Sequence, residues 1–336
     1  MTAEAVESFP HPGTLKVMMQ LMKLRVIVLL QITALCALVI HDTLARYGVL
    51  AVERTWQDTL VTALVTIVGG TLSAGGSNAI NMWYDADIDP HMRRTMNRPV
   101  PLGHATPRFA LVFGTLIAVV GSGLFLLVSV KAAFWSAFSV VFYVFVYSIW
   151  LKRRTPQNIV IGGIAGSTPP LIGWAAAAGS SLDGWNVFDL GSPIPWMLFF
   201  LIFLWTPPHF WALALYRSGE YGRVNIPMMN EVKGPAYTLR QSKMYVVALF
   251  MLGSVPCFWP ESGVPLLWAF VSGGLTFWYA QSVWAIDPFE AKDDNGRMPK
   301  AAKSFFRSLF YLGWMFLSLV LIMFIPASWL GVLGPL

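Results

Sequence analysis

The chain has 336 residues, of which 56% are apolar and only 12% are charged, whereas about 25% of residues are charged in an ordinary soluble domain. This composition excludes a soluble globular protein and predicts an integral membrane protein in a lipid bilayer. The formal net charge of +6 has the sign that nucleic acids attract, but the basic residues lie in short segments between apolar runs. We therefore expect no nucleic acid among the partners.

Nine apolar runs follow one another, each long enough or nearly long enough to cross the hydrocarbon core, which takes about 20 helical residues. They begin near Leu24, Leu60, Phe109, Ala132, Ile159, Ile194, Met244, Val264 and Phe305. Each run should be helical, because unpaired backbone groups are costly in lipid. The sequence thus predicts an all-α, polytopic membrane bundle of nine transmembrane helices, with a central cavity open to the cytoplasmic side.

The basic residues indicate how these helices are oriented. All 23 lysines and arginines except Arg46, Arg54 and Lys131 fall in the N-terminal segment or in the even-numbered connections. Because basic loops stay in the cytoplasm, the N-terminus should be cytoplasmic and the C-terminus periplasmic. The predicted domains are a cytoplasmic N-terminal segment at 1–22, a membrane domain at 23–326 and a periplasmic tail at 327–336. An N-terminus without early arginine favours a bacterial inner membrane over a mitochondrial one.

The first densely charged stretch, Asn81 to Pro101, follows the second apolar run directly. Asn81, Asp85 and Asp89 are spaced four residues apart, so they share one helix face if the helix continues through them. Oxygen ligands of this kind suit a hard divalent cation such as Mg²⁺, which also binds substrate phosphates. This spacing predicts a metal and diphosphate site, whereas Asp87 should point away from that face. An ordinary solvated helix end is the alternative.

Basic residues near these acids are candidates for binding phosphate oxygens. The candidates are Arg93, Arg94, Arg98, Lys152, Arg153 and Arg154. Membrane topology alone also places basic residues in cytoplasmic loops, so each of them has a purely topological explanation as well.

A second charged loop, from Tyr216 to Lys243, follows the sixth apolar run and again mixes acids with bases, including Arg217 and Glu220. We expect it to face the first charged loop across a two-sided site. His209 lies just before it, after Pro207 and Pro208. An ionisable group within a membrane span is a functional candidate, although a histidine bonded within the bundle is the simpler explanation.

Three motifs resemble the UbiA superfamily of intramembrane prenyltransferases. The family's NxxxDxxxD pattern corresponds to Asn81, Asp85 and Asp89. The strings DIDPHMRRTMNRPVP, KRRTPQNIVIGG and WTPPHFWALALYRSGEYGRVNIPM are similar to the branch of the family that modifies haem. One departure is Glu220, which stands where the second acidic motif of the superfamily often has aspartates.

The resemblance implies that a farnesyl group passes from farnesyl diphosphate to a vinyl group of haem B. It implies Mg²⁺ at Asn81, Asp85 and Asp89, and diphosphate at Arg94, Arg98, Lys152 and Arg153. Haem or a second polar loop would involve His209, Arg217, Glu220 and Tyr221, and His209 joins the two aspartates as a candidate catalytic residue. The resemblance also implies partners such as haem A synthase or factors of cytochrome oxidase assembly.

Two other functions are compatible with the residues alone. Prenylation of an aromatic quinone precursor would use the same metal and diphosphate chemistry with another acceptor. A transporter would also place polar groups in a helical bundle, but its ionisable residues are expected near the bilayer midplane. Here they concentrate at one face, which argues against transport.

Overall fold

The computed structural model describes residues 12–179, 186–217, 219–259, 264–291, 293 and 297–325, and within these ranges it is helical without any β-strand. The prediction of an all-α protein is confirmed. The helices are α1 (Thr14–Met22), α2 (Leu24–Arg46), α3 (Trp56–Tyr84), α4 (Pro107–Leu124), α5 (Val130–Val141), α6 (Asn158–Ser167), α7 (Pro169–Ala178), α8 (Ile194–Tyr216), α9 (Met229–Val232), α10 (Pro235–Gly253), α11 (Val255–Phe258), α12 (Leu266–Trp284) and α13 (Pro299–Met323). A π-helix, Phe142–Leu151, continues α5.

Within the described ranges, seven helical segments are long and apolar enough to span a membrane. They are α2, α3, α4 with its short extension, α5 with the π-helix, α6 with α7, α8 and α13. Among the described residues, α10 and α12 occupy the places of the seventh and eighth predicted spans, but they are not apolar enough to be counted. The total of nine spans therefore stays a prediction. The predicted tail at 327–336 lies outside the described residues.

Helices α3 and α4 pack closely through glycines. A Cβ atom on Gly114 would lie 2.8 Å from the carbonyl oxygen of Gly76, and one on Gly69 would lie 2.9 Å from that of Gly121. Small residues spaced in this way let two helix backbones approach in a membrane, where van der Waals packing drives association. This contact holds α3, the helix that ends at the charged stretch, rigidly against its neighbour.

The main core surrounds large side chains from the second half of the chain, including Trp174, Trp268 and Phe316, which are almost completely buried. The indole nitrogens of the two tryptophans are hydrogen-bonded within the bundle. Trp174 donates to the carbonyl oxygen of Leu190 and Trp268 to that of Met315, at 2.9 and 3.2 Å. Buried tryptophans need such partners, so these bonds fix how the helices are oriented around the core.

The two charged loops and the basic segment Lys152 to Arg154 meet at one end of the bundle. Lys152, which follows the π-helix, contacts Asp85 after α3, and Asn158 donates to the carbonyl oxygen of Pro227 in the second charged loop at 3.4 Å. Arg54 lies at the other end of the bundle, where it binds the fully buried Asp42 at 2.9 Å. Lys152 and Arg54 thus lie at opposite ends of the helices, as the alternating loop pattern predicts.

Candidate active site

The first charged stretch begins where α3 ends. The helix stops at Tyr84 and Asp85 is its C-terminal cap, so the helix does not continue through Asp89, as the four-residue spacing had suggested. One bond of helical type remains, from the amide of Asp89 to the carbonyl oxygen of Asp85 at 2.9 Å. Asp85 and Asp89 are both 1% exposed. Two carboxylates one turn apart are therefore buried together at the end of a membrane helix.

Each buried carboxylate has its own basic partner. Lys152 and the side-chain amide of Asn81 both donate to Oδ2 of Asp85. Arg98 donates through Nη1 to both oxygens of Asp89, at 2.7 and 2.9 Å. Burial lowers the pKa of Lys152, and the Asp85 carboxylate opposes this effect by favouring the charged amine. The predicted residues Asn81, Asp85, Asp89, Arg98 and Lys152 thus form one cluster.

One carboxylate oxygen in this cluster has no hydrogen bond. Oδ1 of Asp85 is buried, and Nη2 of Arg153 lies 3.8 Å from it. Arg153 itself forms two bonds of 2.7 Å to Asp87, whose side chain is 60% exposed. Asp87 therefore points away from the buried pair, as predicted. Buried polar atoms are almost always bonded, so the free oxygen marks a position where a ligand fits.

Asn81 is held from its other side by a tyrosine. The Tyr143 hydroxyl donates to Oδ1 of Asn81 at 2.9 Å, and the Tyr147 ring lies 5.4 Å from the Tyr143 ring. Both tyrosines lie in the π-helix, a conformation that is rare and often occurs at functional sites. Gly162 makes room for Tyr147, because a Cβ atom there would overlap the tyrosine ring. The site therefore has an aromatic wall beside its carboxylates.

Arg94, in the first charged stretch, lies next to the second charged loop. Its guanidinium carbon lies 5.9 Å from the centre of the Tyr221 ring, and Tyr221 is buried with Ile88 and Met92 from the first loop. The side chain of Arg94 is solvent-accessible, yet Tyr221, Tyr147, Asp89 and Glu220 all act on its charge. Arg94 thus lies between the two loops, which face each other as expected.

Within the second loop, Arg217 and Glu220 form an ion pair at 3.6 Å. Oε2 of Glu220 and Nε of Arg217 are buried without hydrogen bonds. Glu231 organises the loop from the other side, because it accepts bonds from the Gly219 amide at 3.0 Å and from Asn230 at 3.2 Å. The loop therefore presents an acid and a base that each have one buried atom without a hydrogen bond.

His209 lies in α8, apart from the carboxylates. Its ring is stacked between Trp205 and Phe305, at centroid distances of 4.2 and 4.7 Å. Nδ1 is 2.6 Å from the Ser308 hydroxyl, and the residue is 6% exposed. Both ring faces and one nitrogen thus have partners within the protein, and only the Nε2 edge is left for a ligand.

Three residues of the site were not found from the sequence. Tyr143 and Tyr147 lie in an apolar run and were not singled out there, and their four-residue spacing was the available signal. Lys23 was read only as the start of a span. In the structure its side chain is half-buried and acts on the charges of Arg98 and Lys152. Burial and these two cations lower the pKa of Lys23 well below its usual value.

Comparison with known proteins identifies the family. Residues 43–310 match the UbiA prenyltransferase family. The chain belongs to this family. It is 47% identical over 265 residues to protoheme IX farnesyltransferase of Parvibaculum lavamentivorans, covering 78% of this chain and 77% of that one. A protein of the same name from Bartonella tribocorum is 38% identical over 322 residues, covering 94% and 93%.

Several solved structures share this fold. A digeranylgeranylglyceryl phosphate synthase has a TM-score of 0.67 at 15% identity, covering 92% of this chain and 98% of that one. A UbiA homologue from Aeropyrum pernix gives 0.65 at 17% identity, with coverage of 87% and 97%. A homologue from Archaeoglobus fulgidus, bound to DMAPP and Mg²⁺, gives 0.58 at 11%, with coverage of 91% and 99%. At these identities the likeness concerns the fold alone.

Proposed function

We propose that this prenyltransferase transfers a farnesyl group from farnesyl diphosphate to a vinyl group of haem B. The observation that carries the proposal is the pair of buried carboxylates, Asp85 and Asp89, each with a basic partner, in a chain related to proteins named protoheme IX farnesyltransferase. Buried acids and bases together suit a metal-bound diphosphate. The acceptor is inferred from the relatives, because a diphosphate site alone does not specify it.

The residues present fit a magnesium ion. Asp85 and Asp89 offer carboxylate oxygens, one of them buried without a hydrogen bond, and Asn81 adds an amide oxygen. Among the described residues no three acids, histidines or cysteines come close enough to hold a metal by themselves. That agrees with Mg²⁺, which is usually bound by one or two carboxylates together with substrate phosphates. When bound, the ion would neutralise charge on the departing diphosphate.

The basic residues would bind the leaving group. The carbon–oxygen bond of the donor breaks with both electrons going to the diphosphate, so negative charge increases there in the transition state. Arg98 and Lys152 are oriented by the carboxylates, while Arg94 and Arg153, in the same two segments, lie beside Tyr221 and Asp87. Preoriented charges of this kind act most strongly where water is excluded.

The farnesyl carbon that loses the diphosphate becomes positively charged, so it needs apolar, electron-rich surroundings. Tyr143 and Tyr147 supply ring faces beside the carboxylates, which suits an allylic cation because aromatic rings attract cations. The vinyl π electrons form the new carbon–carbon bond. Water adds to the resulting cation beside the porphyrin ring and loses a proton to solvent, which leaves the hydroxyethylfarnesyl side chain.

We assign the haem to the side of the second charged loop. Arg217 offers a cation to a propionate, and Glu220 offers either an acceptor or a second metal ligand, since each has an unbonded buried atom. Tyr221 connects this loop to Arg94. His209 would contact haem through its Nε2 edge. Partners in haem A synthesis or in oxidase assembly stay a prediction.

The proposal includes a topology. We infer nine spans, counting α10 and α12, with the cavity and the charged loops on the cytoplasmic side of a bacterial inner membrane. The membrane domain would extend over 23–326, between a cytoplasmic N-terminal segment and a periplasmic tail. The convergence of the charged loops at one end of the bundle supports this orientation.

The direct test incubates membranes containing the protein with haem B, farnesyl diphosphate and Mg²⁺, and then separates the extracted haems by chromatography. We expect a more hydrophobic haem to appear. Asp85→Ala and Asp89→Ala should abolish its formation while the protein still inserts into membranes. Activity within a few fold of wild type would remove these residues from the metal site.

The same membranes can be tested with an aromatic quinone precursor in place of haem. Prenylation of that acceptor, without any change of haem B in a competent preparation, would replace the haem assignment while keeping the diphosphate chemistry. Membership of a prenyltransferase family argues against the transporter hypothesis.

A further inference from the structure

A groove of about 590 Å³ runs along the outer side of α10 and shares no residue with the carboxylate cluster. One wall is an apolar stripe of α10 formed by Met244, Val247 and Met251, whose side chains are all exposed. Ile286 and Pro288, which follow α12, complete the groove near the beginning of α10. Apolar side chains exposed on a membrane bundle lie against lipid tails, so the groove is open to the bilayer.

Two cations stand at one end of this groove. Arg240 and Lys243 lie one turn apart on α10, where the second charged loop ends, and both line the groove. Neither forms an ion pair with an acid of the described ranges. Asp287, the acid next to the lining residues in sequence, binds the amide of Phe289 at 2.9 Å instead. The groove therefore has two positive charges at one end, and no described acid lines it.

Lys243 lies at the level of the membrane surface. Its ammonium nitrogen is 5.6 Å from the centre of the Trp284 ring, at the end of α12. Trp284 is exposed, and exposed tryptophans at the ends of membrane helices occur mostly where hydrocarbon meets the lipid headgroups. Arg240 lies one turn closer to the charged loop, whereas the stripe from Met244 to Met251 extends the other way, into the hydrocarbon. The groove thus has a cationic end among headgroups and an apolar end among acyl chains.

We propose that this groove binds one anionic phospholipid, with its phosphate at Arg240 and Lys243 and one acyl chain along the apolar stripe of α10. The charges select the headgroup, because a zwitterionic lipid would bring a third cation to this end, whereas an anionic lipid brings none. The apolar stripe selects a lipid over a small soluble anion, which would leave the stripe uncovered. The proposal does not depend on which donor or acceptor the enzyme uses.

Bound lipid would also stabilise the end of the bundle that carries the charged loops. Leu239 lines the groove and is buried against Leu215, near the end of α8, and Met298, just before α13. A lipid that covers this wall binds the folded protein and not the unfolded chain, so it raises Tm. An anionic bilayer should therefore give a higher Tm than a zwitterionic one.

The test uses the full chain in nanodiscs made of equal amounts of phosphatidylglycerol and phosphatidylcholine. Native mass spectrometry of the released protein then measures how much of each lipid is retained. We expect wild type to prefer phosphatidylglycerol, and this preference to fall about fivefold in Arg240→Met and in Lys243→Met, which is the contribution of one cation at an anionic membrane surface. Lys233→Met is the matched control, because Lys233 is exposed in the same segment but lies outside the groove. It should leave the preference unchanged.

A second variant tests the apolar part of the groove. Ala248 lines it, and Ala248→Trp would fill the space for the acyl chain while both cations remain. We expect at least a fivefold loss of retained phosphatidylglycerol, with a Tm in phosphatidylcholine nanodiscs within a few degrees of wild type. The rise in Tm on adding phosphatidylglycerol should disappear in this variant and in the double variant Arg240→Met, Lys243→Met. High salt should weaken the preference of wild type, because it screens exposed charges.

Equal retention of phosphatidylglycerol by wild type and the double variant would overturn the proposal. Displacement of the lipid by an equal concentration of inorganic phosphate would also overturn it, since the groove would then be a site for small anions. Displacement by farnesyl diphosphate would make it a donor site instead. If wild type retains the anionic lipid and yet leaves haem B unchanged, the acceptor assignment fails while the lipid site stands.

Discussion

The pair formed by Arg98 and Asp89 should contribute strongly to folding stability. Asp89 is 1% exposed and receives two bonds from Arg98, whose side chain is 18% exposed. Removing one partner of such a pair leaves a buried charge unpaired, which typically costs about 3–5 kcal/mol. Because Arg98 retains some solvent contact, we expect Arg98→Met to cost about 3 kcal/mol, near the low end of that range. In a chain of this size that lowers Tm by about 4 °C.

A double variant isolates the charge effect. Arg98→Met combined with Asp89→Asn removes both charges, so we expect it to recover about 2 kcal/mol of the loss. Arg93→Met is the matched control, because Arg93 is exposed and has no ion pair with a described residue. Activity should be lost in both Arg98 variants, since each lacks the guanidinium group.

The assay can use a cysteine that the protein already has. Cys36 is partly buried and Cys257 is exposed, so a fluorescent thiol probe reports unfolding through Cys36 in a Cys257→Ser background. Scans need one fixed heating rate and no added divalent cation, because membrane proteins unfold irreversibly and a bound ion would mask the unpaired carboxylate. Equal Tm values for Arg98→Met and Arg93→Met, or a double variant no more stable than Arg98→Met, would refute the argument.

Three further predictions follow from single contacts. Tyr143→Phe removes the hydroxyl that donates to Asn81, so it should lower kcat at least tenfold without lowering Tm by more than a few degrees. An unchanged kcat would show that this bond to Asn81 does not contribute to the reaction. Gly76→Val should destabilise the protein by about 1–3 kcal/mol in thermal scans, since a Cβ atom there would come within 2.7 Å of an α4 side chain. His209→Ala should raise KM for haem and leave donor KM unchanged, and unaltered haem-binding spectra would assign its ring to packing with Ser308.

Hydropathy predicted the position of most helices, because lipid requires long apolar segments. The error at the seventh span has a local cause. Its helix begins at Pro235, well before Met244, since proline at the first helical position follows Gly234 and the first turns carry polar residues such as Arg240. A search for apolar residues does not detect a helix that begins in this way. The fifth span is also divided, where Pro169 and Pro170 separate α6 from α7.

The end of α3 was less predictable. No glycine or proline occurs between Tyr84 and Asp89, but Pro90 follows Asp89 directly and disfavours helical backbone at that aspartate, a local signal that the four-residue spacing did not take into account. Two carboxylates in that register repel each other by a few tenths of a kcal/mol, and only an external charge removes the repulsion. The structure supplies Lys152 and Arg98 from two different loops. These contacts between distant segments determine which cation pairs with each carboxylate, and one sequence read along the chain does not contain them.

The same reasoning explains why sequence alone did not separate the functional arginines from the topological ones. Arg153 and Arg154 are neighbours in one basic run, yet Arg153 binds Asp87 while Arg154 is exposed. Membrane topology requires both to be basic, and only the direction in which each side chain leaves the π-helix end distinguishes them.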